Sequence, residues 1–581
     1  MGLKIITITM FTNNPFWYVQ EHRCTLPQDE EISPQKSRRV WLAAVAAVAV
    51  VAVVAGVATW RGQSGDDASS QDQPRNRGTE LVVAVGDVAG GEFDPLKGWG
   101  SRPAQIRLIH SSLLAVDKNI DFVGDLASDY SVSDDALTWS FTLRDNARWS
   151  NGEPVTAQDV IFTYETLKKD GTRFDLTFLD RMEARDGSHV DFHLKEPRST
   201  FVSQLSDIPI LPAKHYGTDY SANPIGSGPY VVADYQVGQQ LILEANPNWY
   251  GQKPQFTKLT FLFLGEDAAL AAARAGTVDI AYAPPAFAGQ RINGMTLQSF
   301  ETVDSRALTL PTLPAGGRGK IRTNDVAVGN DVTADPAIRK ALNIGLDRDQ
   351  IAQIVLQGHG RPAYSLVDGL PWFNEQVAFE DGRTEDAKRV LADAGWRDAD
   401  GDGTVEKDGR KAEFTLLYPS DDQLRSDLAL AVAEQARGLG IAVTTKGSTW
   451  DGIYLDGKAN AVTWGGGRHH PHQIYEMYSS KVIDTGYNNM PQYTNPTVDG
   501  YLDQALSATT QDKANEFWKK AQWDGQTGFA GENGDASIIW LLRLDHLYFV
   551  RDGLNLGEQP IQGHGHEWAL FNTLVQWHWT S

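Results

Sequence analysis

The stretch 40–60, Val-Trp-Leu-Ala-Ala-Val-Ala-Ala-Val-Ala-Val-Val-Ala-Val-Val-Ala-Gly-Val-Ala-Thr-Trp, carries no charge and presents no polar face. At 1.5 Å rise per residue, about 20 such residues cross the ~30 Å hydrocarbon core as one helix. Trp41 and Trp60 stand near its ends, and Lys36, Arg38 and Arg39 precede it. That arrangement predicts a cytoplasmic N-terminal side, with everything after Arg61 outside the membrane. The run exceeds the apolar core of a secretory signal, so a retained anchor is expected. Gly56 and Ala58 leave the alternative of cleavage, giving a secreted or periplasmic chain. Segment 1–39 then reads as cytoplasmic or disordered, and the polar stretch 61–78 as a flexible tether. The single cysteine, Cys24, precedes the run, so the exported part must hold its core without disulfides.

The remainder is too long for one core and calls for at least two domains. A net charge of −22 without a basic stripe argues against nucleic acid as a partner. The 17 tryptophans fit either large cores or a cleft walled by aromatics. Alternation predicts strands at 80–85, 139–143 and 190–194, whereas 105–116 reads as an amphipathic helix or short turn-helix. Thr156 followed by Asp159 predicts a capped helix start, as do Asp335 with Pro336 and Asp347 with Gln350. Strand 256–264, helix 267–275 and strand 278–280 suggest an α/β layer with a mostly parallel sheet.

Two segments carry candidate chemistry. Asp398, Asp400, Asp402 and Gly403 resemble the start of a calcium loop, with Glu406 at its ninth position. Position twelve is Gly409 instead of a bidentate Glu, so an acidic hairpin turn is favoured over a calcium site. No other cofactor is expected. The second segment is 464–475, Trp-Gly-Gly-Gly-Arg-His-His-Pro-His-Gln-Ile-Tyr. Its glycines allow close backbone approach. Arg468 offers fixed donors for a carboxylate. The histidines offer ring nitrogens to a borderline metal, although neighbours such as His469 and His470 point apart on an extended backbone. Trp464, Arg468, His469, His470, Tyr475 and the more distant Trp149 are the expected ligand contacts. No serine elbow, paired-carboxylate pattern or zinc motif stands out, so a peptide hydrolase is disfavoured.

The stretch 139–160 (Trp-Ser-Phe-Thr-Leu-Arg-Asp-Asn-Ala-Arg-Trp-Ser-Asn-Gly-Glu-Pro-Val-Thr-Ala-Gln-Asp-Val) resembles the large solute-binding proteins of ABC importers. These form family 5, whose members handle dipeptides, oligopeptides and nickel. So do 226–230 (Gly-Ser-Gly-Pro-Tyr), 246–251 (Asn-Pro-Asn-Trp-Tyr-Gly), 276–280 (Gly-Thr-Val-Asp-Ile), 335–343 (Asp-Pro-Ala-Ile-Arg-Lys-Ala-Leu-Asn) and 387–396 (Ala-Lys-Arg-Val-Leu-Ala-Asp-Ala-Gly-Trp). The resemblance spans roughly 80–579. It implies a large two-lobed periplasmic-binding-protein-like fold of type II, with two crossovers and closure around solute. Lobe I would comprise 79–304 and 537–581, including a subdomain inserted at about 110–225, and lobe II 305–536. It further implies an extracytoplasmic, monomeric protein that binds peptides and delivers them to a membrane permease. Dipeptide-binding relatives carry an aspartate for the peptide ammonium where this chain has Gly467, and usually another where it has His470. Nickel-binding relatives are similar at Thr463-Trp-Gly and Pro471-His, but they hold a further histidine where 480–484 has none. A metal chelate is therefore the alternative ligand.

Overall fold

The computed structural model describes residues 4–9, 18–23, 78–86, 93–96, 107–170, 175–217, 219–321, 323–564 and 566–580. The apolar run 40–60 lies outside them, and among the described residues no helix is long and apolar enough to cross a membrane. The chain divides into two units, Met1–Arg75 and Asn76–Ser581. In the first, Lys4–Thr9 pairs antiparallel with Tyr18–Arg23. The β-branched run Ile-Ile-Thr-Ile-Thr suits an extended backbone.

The second unit is built on two sheets. The first has seven strands in the order Tyr230–Gln236, Gln240–Ala245, Lys258–Phe263, Glu80–Val85, Ile280–Ala283, His546–Arg551 and Met295–Phe300. Only the two pairings made by Glu80–Val85 are parallel. The sheet is thus mixed, not mostly parallel as expected. A parallel neighbour needs a crossover, and helix Glu266–Arg274 supplies one, with Glu266 and Asp267 in its first turn and Arg274 in its last. That charge order suits the helix dipole.

The second sheet has six strands, Gly360–Pro362, Ile538–Leu544, Ser305–Thr309, Ala461–Gly466, Glu413–Pro419 and Ala442–Ser448. The strand Ile538–Leu544, expected in the first lobe, pairs here with Ser305–Thr309 and Gly360–Pro362. Helices Pro336–Gly345, Arg348–Leu356 and Gln423–Gly438 contribute to the core on this sheet. Each begins at an aspartate whose carboxylate accepts a first-turn N–H: Asp335 from Ala337, Asp347 from Gln350 and Asp422 from Arg425.

Between the strands of the first lobe lies a separate antiparallel sheet, Ala127–Val132, Thr138–Leu143, His189–Leu194 and Leu179–Ala184. Helix Ala157–Asp170 covers it, and the Asp159 carboxylate accepts from both the N–H and hydroxyl of Thr156. The helix expected over 105–116 is instead a turn at 107–109 followed by strand Leu114–Val116. Arg107 Nε and the Ser112 N–H both donate to Asp125 Oδ2, at 2.9 and 3.2 Å. That tertiary carboxylate overrides the local helical spacing.

Two short crossovers join the lobes. The chain leaves the seven-stranded sheet at Phe300 and enters the six-stranded one at Ser305, and it returns between Leu544 and His546. A third segment runs beside them: Val303 N–H donates to Gln562 O and Gln562 N–H to Glu301 O.

Candidate functional site

In open α/β sheets, ligands bind outside the carboxyl ends of the strands. The parallel strands Glu413–Pro419, Ala442–Ser448 and Ala461–Gly466 end on one edge, and each is followed by chemistry. After the first come Asp422 and Arg425, after the second Trp450, and after the third the segment 467–475. The Arg425 guanidinium pairs with Asp422 and lies over the Trp450 ring, 5.2 Å from its centroid. Trp464 meets Trp450 edge to face at 6.0 Å. Tyr454 stacks on Trp450 and on Tyr487, extending an aromatic wall.

Gly465 and Gly467 bring the third strand close to its own protein. A Cβ at Gly465 would lie 3.0 Å from both Arg306 Nη1 and Arg425 Nη2. Two guanidiniums thus converge where no side chain exists. At Gly467, with φ +151°, a Cβ would collide with the Val303 carbonyl oxygen. The glycine run is therefore used for packing against the first crossover.

Arg306 pairs with Asp304, which is fully buried and also accepts from His564 Nδ1 at 2.6 Å and His546 Nε2 at 3.2 Å. Burial pushes the Asp304 carboxyl up, but Arg306 and His564 outweigh it and hold it well below the usual carboxylate range. Burial keeps His564 below the ordinary histidine value although Asp304 opposes this. Burial likewise lowers Arg425, with Arg306 adding to the effect. Asp304 lies on the first crossover, His546 just past the second, and His564 on the third segment, so the hub ties all three together.

Most of the expected contacts gather here, each with a protein partner. Arg468 Nη1 donates to Asp207 Oδ2 at 3.2 Å, and His470 Nε2 lies 3.0 Å from the same oxygen. Asp207 closes helix Phe201–Asp207 of the inserted subdomain, so this contact spans the two lobes. His469 Nε2 donates to Ile561 O at 2.7 Å, and the His564 N–H donates to Gly467 O, also at 2.7 Å. The loop is stapled to the third segment. His472 Nδ1 lies 3.3 Å from Thr200 Oγ1, and burial lowers its pKa to about 4. Trp464 and Tyr475 are half-buried beside the second-lobe core. Trp149 is apart from them, fully buried in the core of the inserted subdomain.

The acidic loop is a separate place. Single oxygens of Asp398, Asp400 and Glu406 lie within 4.8 Å of one another. Asp402 is not of that group. It pairs with Lys411, whose Nζ also reaches Asp400 at 3.0 Å. Among the described residues this is the one cluster of three metal-type ligands, so the histidines of 469–472 do not form a cage of their own.

Sequence reasoning missed Asp207, Asp304, Arg306, Asp422, Arg425 and Trp450. Asp422 and Arg425 had a local signal, an aspartate three residues before an arginine at a helix start. The others come together only through the fold.

The family of bacterial extracellular solute-binding proteins, family 5 (middle region), matches residues 121–486. Protein XP55 of Streptomyces lividans is 33% identical over 498 residues, covering 82% of this chain and 86% of the relative. The oligopeptide-binding protein AppA of Bacillus subtilis is 27% identical over 481 residues, covering 78% and 84%. Its structure with a nonapeptide aligns with a TM-score of 0.68 at 23% identity, covering 87% of this chain and 99% of that one. NikZ of Campylobacter jejuni, solved with Ni(L-His), aligns with a TM-score of 0.73 at 21% identity, covering 86% and 99%. These structural alignments establish the two-lobed fold.

Proposed function

The chain belongs to the bacterial extracellular solute-binding proteins of family 5, and from that premise we propose that it binds peptides outside the cytoplasm and delivers them to an ABC permease. Binding without turnover is the activity. The observation that carries the reading is the wall of Trp450, Trp464 and Arg425 at the carboxyl edge of the second sheet, beside the crossovers that would close it. Aromatic faces bury side chains of varied shape. The oligopeptide-binding relative supports this class of ligand. The basic cluster before 40–60 supports an anchored, extracytoplasmic placement.

One observation favours a metal chelate as second reading. His470 Nε2 faces the Asp207 carboxylate while its Nδ1 is buried without a hydrogen-bond partner. A carboxylate behind one ring nitrogen orients the other toward a metal, and a chelate brings its remaining ligands itself. Gentle purification of the full chain, native mass spectrometry and elemental analysis separate the two. A ladder of peptide masses without metal is expected. Stoichiometric nickel, iron or zinc with a small organic carboxylate would overturn the peptide reading.

A further inference from the structure

The sequence contains three Asn-Gly pairs, Asn151-Gly152, Asn293-Gly294 and Asn533-Gly534. Such a pair can close on itself. The glycine nitrogen gives its proton to solvent base and attacks the asparagine Cγ; a C–N bond forms, and Nδ2 takes up a proton and leaves as ammonia. Water then adds to either carbonyl of the cyclic imide and opens it. The product is aspartate, or isoaspartate with the backbone rerouted through the side chain, and nothing is oxidised or reduced. Glycine has no Cβ to hinder the attack. The fold then decides whether the glycine N–H and the carboxamide are free to meet.

The fold treats the three pairs differently. Gly152 N–H donates to Trp149 O at 2.8 Å, and Asn151 Oδ1 accepts the Glu153 N–H at 3.0 Å. Gly534 N–H donates to Gly531 O at 3.2 Å, and Asn533 Oδ1 accepts from Lys340 Nζ at 3.0 Å. A Cβ at Gly534 would also collide with the Ala530 carbonyl oxygen, so that backbone is wedged. Asn293 and Gly294 are instead the exposed tip of a tight turn, closed by Met295 N–H donating to Ile292 O at 3.2 Å. Among the described residues, neither the Gly294 N–H nor the Asn293 carbonyl or carboxamide has a hydrogen-bond partner. Gly294 has φ +72° and open space where a Cβ would stand. The peptide plane between the two residues can therefore flip, since glycine accepts either sign of φ and no bond holds the plane. We infer that Asn293 is a modification site, the Asn-Gly pair that converts to aspartate and isoaspartate while the protein stays folded. The turn leads into Met295–Phe300, the edge strand of the seven-stranded sheet, which runs on to the first crossover. Gly294 O accepts the Asp552 N–H at 3.0 Å, and Asp552 Oδ1 accepts from Thr296 Oγ1 at 2.8 Å. The added backbone atom of isoaspartate lengthens the turn against the Met295–Arg551 register and loosens this edge.

The test incubates the full chain for days in mildly alkaline buffer, folded and in guanidinium chloride. Peptides spanning the three pairs are then quantified by mass spectrometry, with isoaspartate told from aspartate by fragmentation. Relative to the unfolded chain, folding is expected to slow conversion of Asn151 and Asn533 tenfold or more and that of Asn293 less than threefold. Tenfold slowing of Asn293, or no slowing of the other two, would overturn the inference. Hydrogen exchange across Met295–Phe300 is expected to quicken as Asn293 converts and to stay unchanged in Asn293→Gln incubated alongside. Exchange that quickens equally in that variant would overturn the effect assigned to the turn.

Discussion

A carboxylate at position 467 has no room, because its Cβ would meet the Val303 carbonyl oxygen and its φ of +151° suits glycine. Gly467→Asp is expected to lose about 1–3 kcal/mol or more through overpacking, measured by urea unfolding. Gly500→Asp, where a Cβ meets nothing within 4 Å, serves as the control. His472 gives a pH dependence at the same scale. Burial lowers its pKa from 6.5 to about 4, against the opposing pull of Glu476. The unfolded chain then binds more protons between those values, so stability is full above 6.5 and falls as pH drops toward 4. The loss is at most about 3 kcal/mol, and His472→Gln should flatten the urea midpoint over that window; an unchanged slope would remove the assignment. The sequence marked 464–475 as unusual because three glycines beside Arg468 and three histidines are a local pattern. It could not show that His469 holds the Ile561 carbonyl or that Asp207 faces Arg468, since those partners stand 92 and 261 residues away.

Elements were legible wherever their determinants are local. The Asp335, Asp347 and Thr156/Asp159 caps place their helices within a residue or two of the observed starts. Asp335 does more than cap: its Oδ2 accepts from Trp396 Nε1 at 3.0 Å and Lys407 Nζ at 2.8 Å, while Oδ1 takes the Ala337 N–H. Asp335→Ala therefore removes a cap worth about 1 kcal/mol and leaves a buried indole N–H unpaired at a further ~1–3 kcal/mol. Asp335→Asn, which keeps a capping oxygen, should recover part of this in urea unfolding; equal losses in both variants would show that the Oδ2 contacts to Trp396 and Lys407, and not the cap, carry the effect. Sheet direction was not legible. The strand–helix–strand run 258–283 has the parallel signature, but its neighbours are set by hairpins and by strand His546–Arg551, which arrives from the far end of the chain. The turn at 107–109 was misread for the same reason, because its organiser, Asp125, lies outside the window of local periodicity.

At the scale of the whole second unit, the inserted subdomain reaches the second lobe through a small set of contacts. The Ser199 N–H donates to Leu506 O at 2.8 Å, Ser199 Oγ to Ala505 O at 2.7 Å, and Asp207 receives Arg468 and His470. The crossovers 301–304 and 545 are short, so relative motion of the lobes must be absorbed there, as in hinge closure around a ligand. Contacts formed only on closure hold the bound state without speeding encounter, and such contacts act mainly on dissociation. Asp207 and Arg468 are each about a third exposed, at 32% and 28%, so their pair should add under ~1 kcal/mol to folding. Asp207→Ala also takes the carboxylate from the buried His470 Nε2, so a modest fall in melting temperature, corresponding to about 1–3 kcal/mol, is expected. It should raise the dissociation rate of bound solute several-fold, with association unchanged, and increase the small-angle scattering radius of the solute-saturated protein toward that of the unliganded one. An Asp207→Ala protein that releases solute at the original rate and keeps its compact bound radius would show that closure does not depend on the Asp207 contacts.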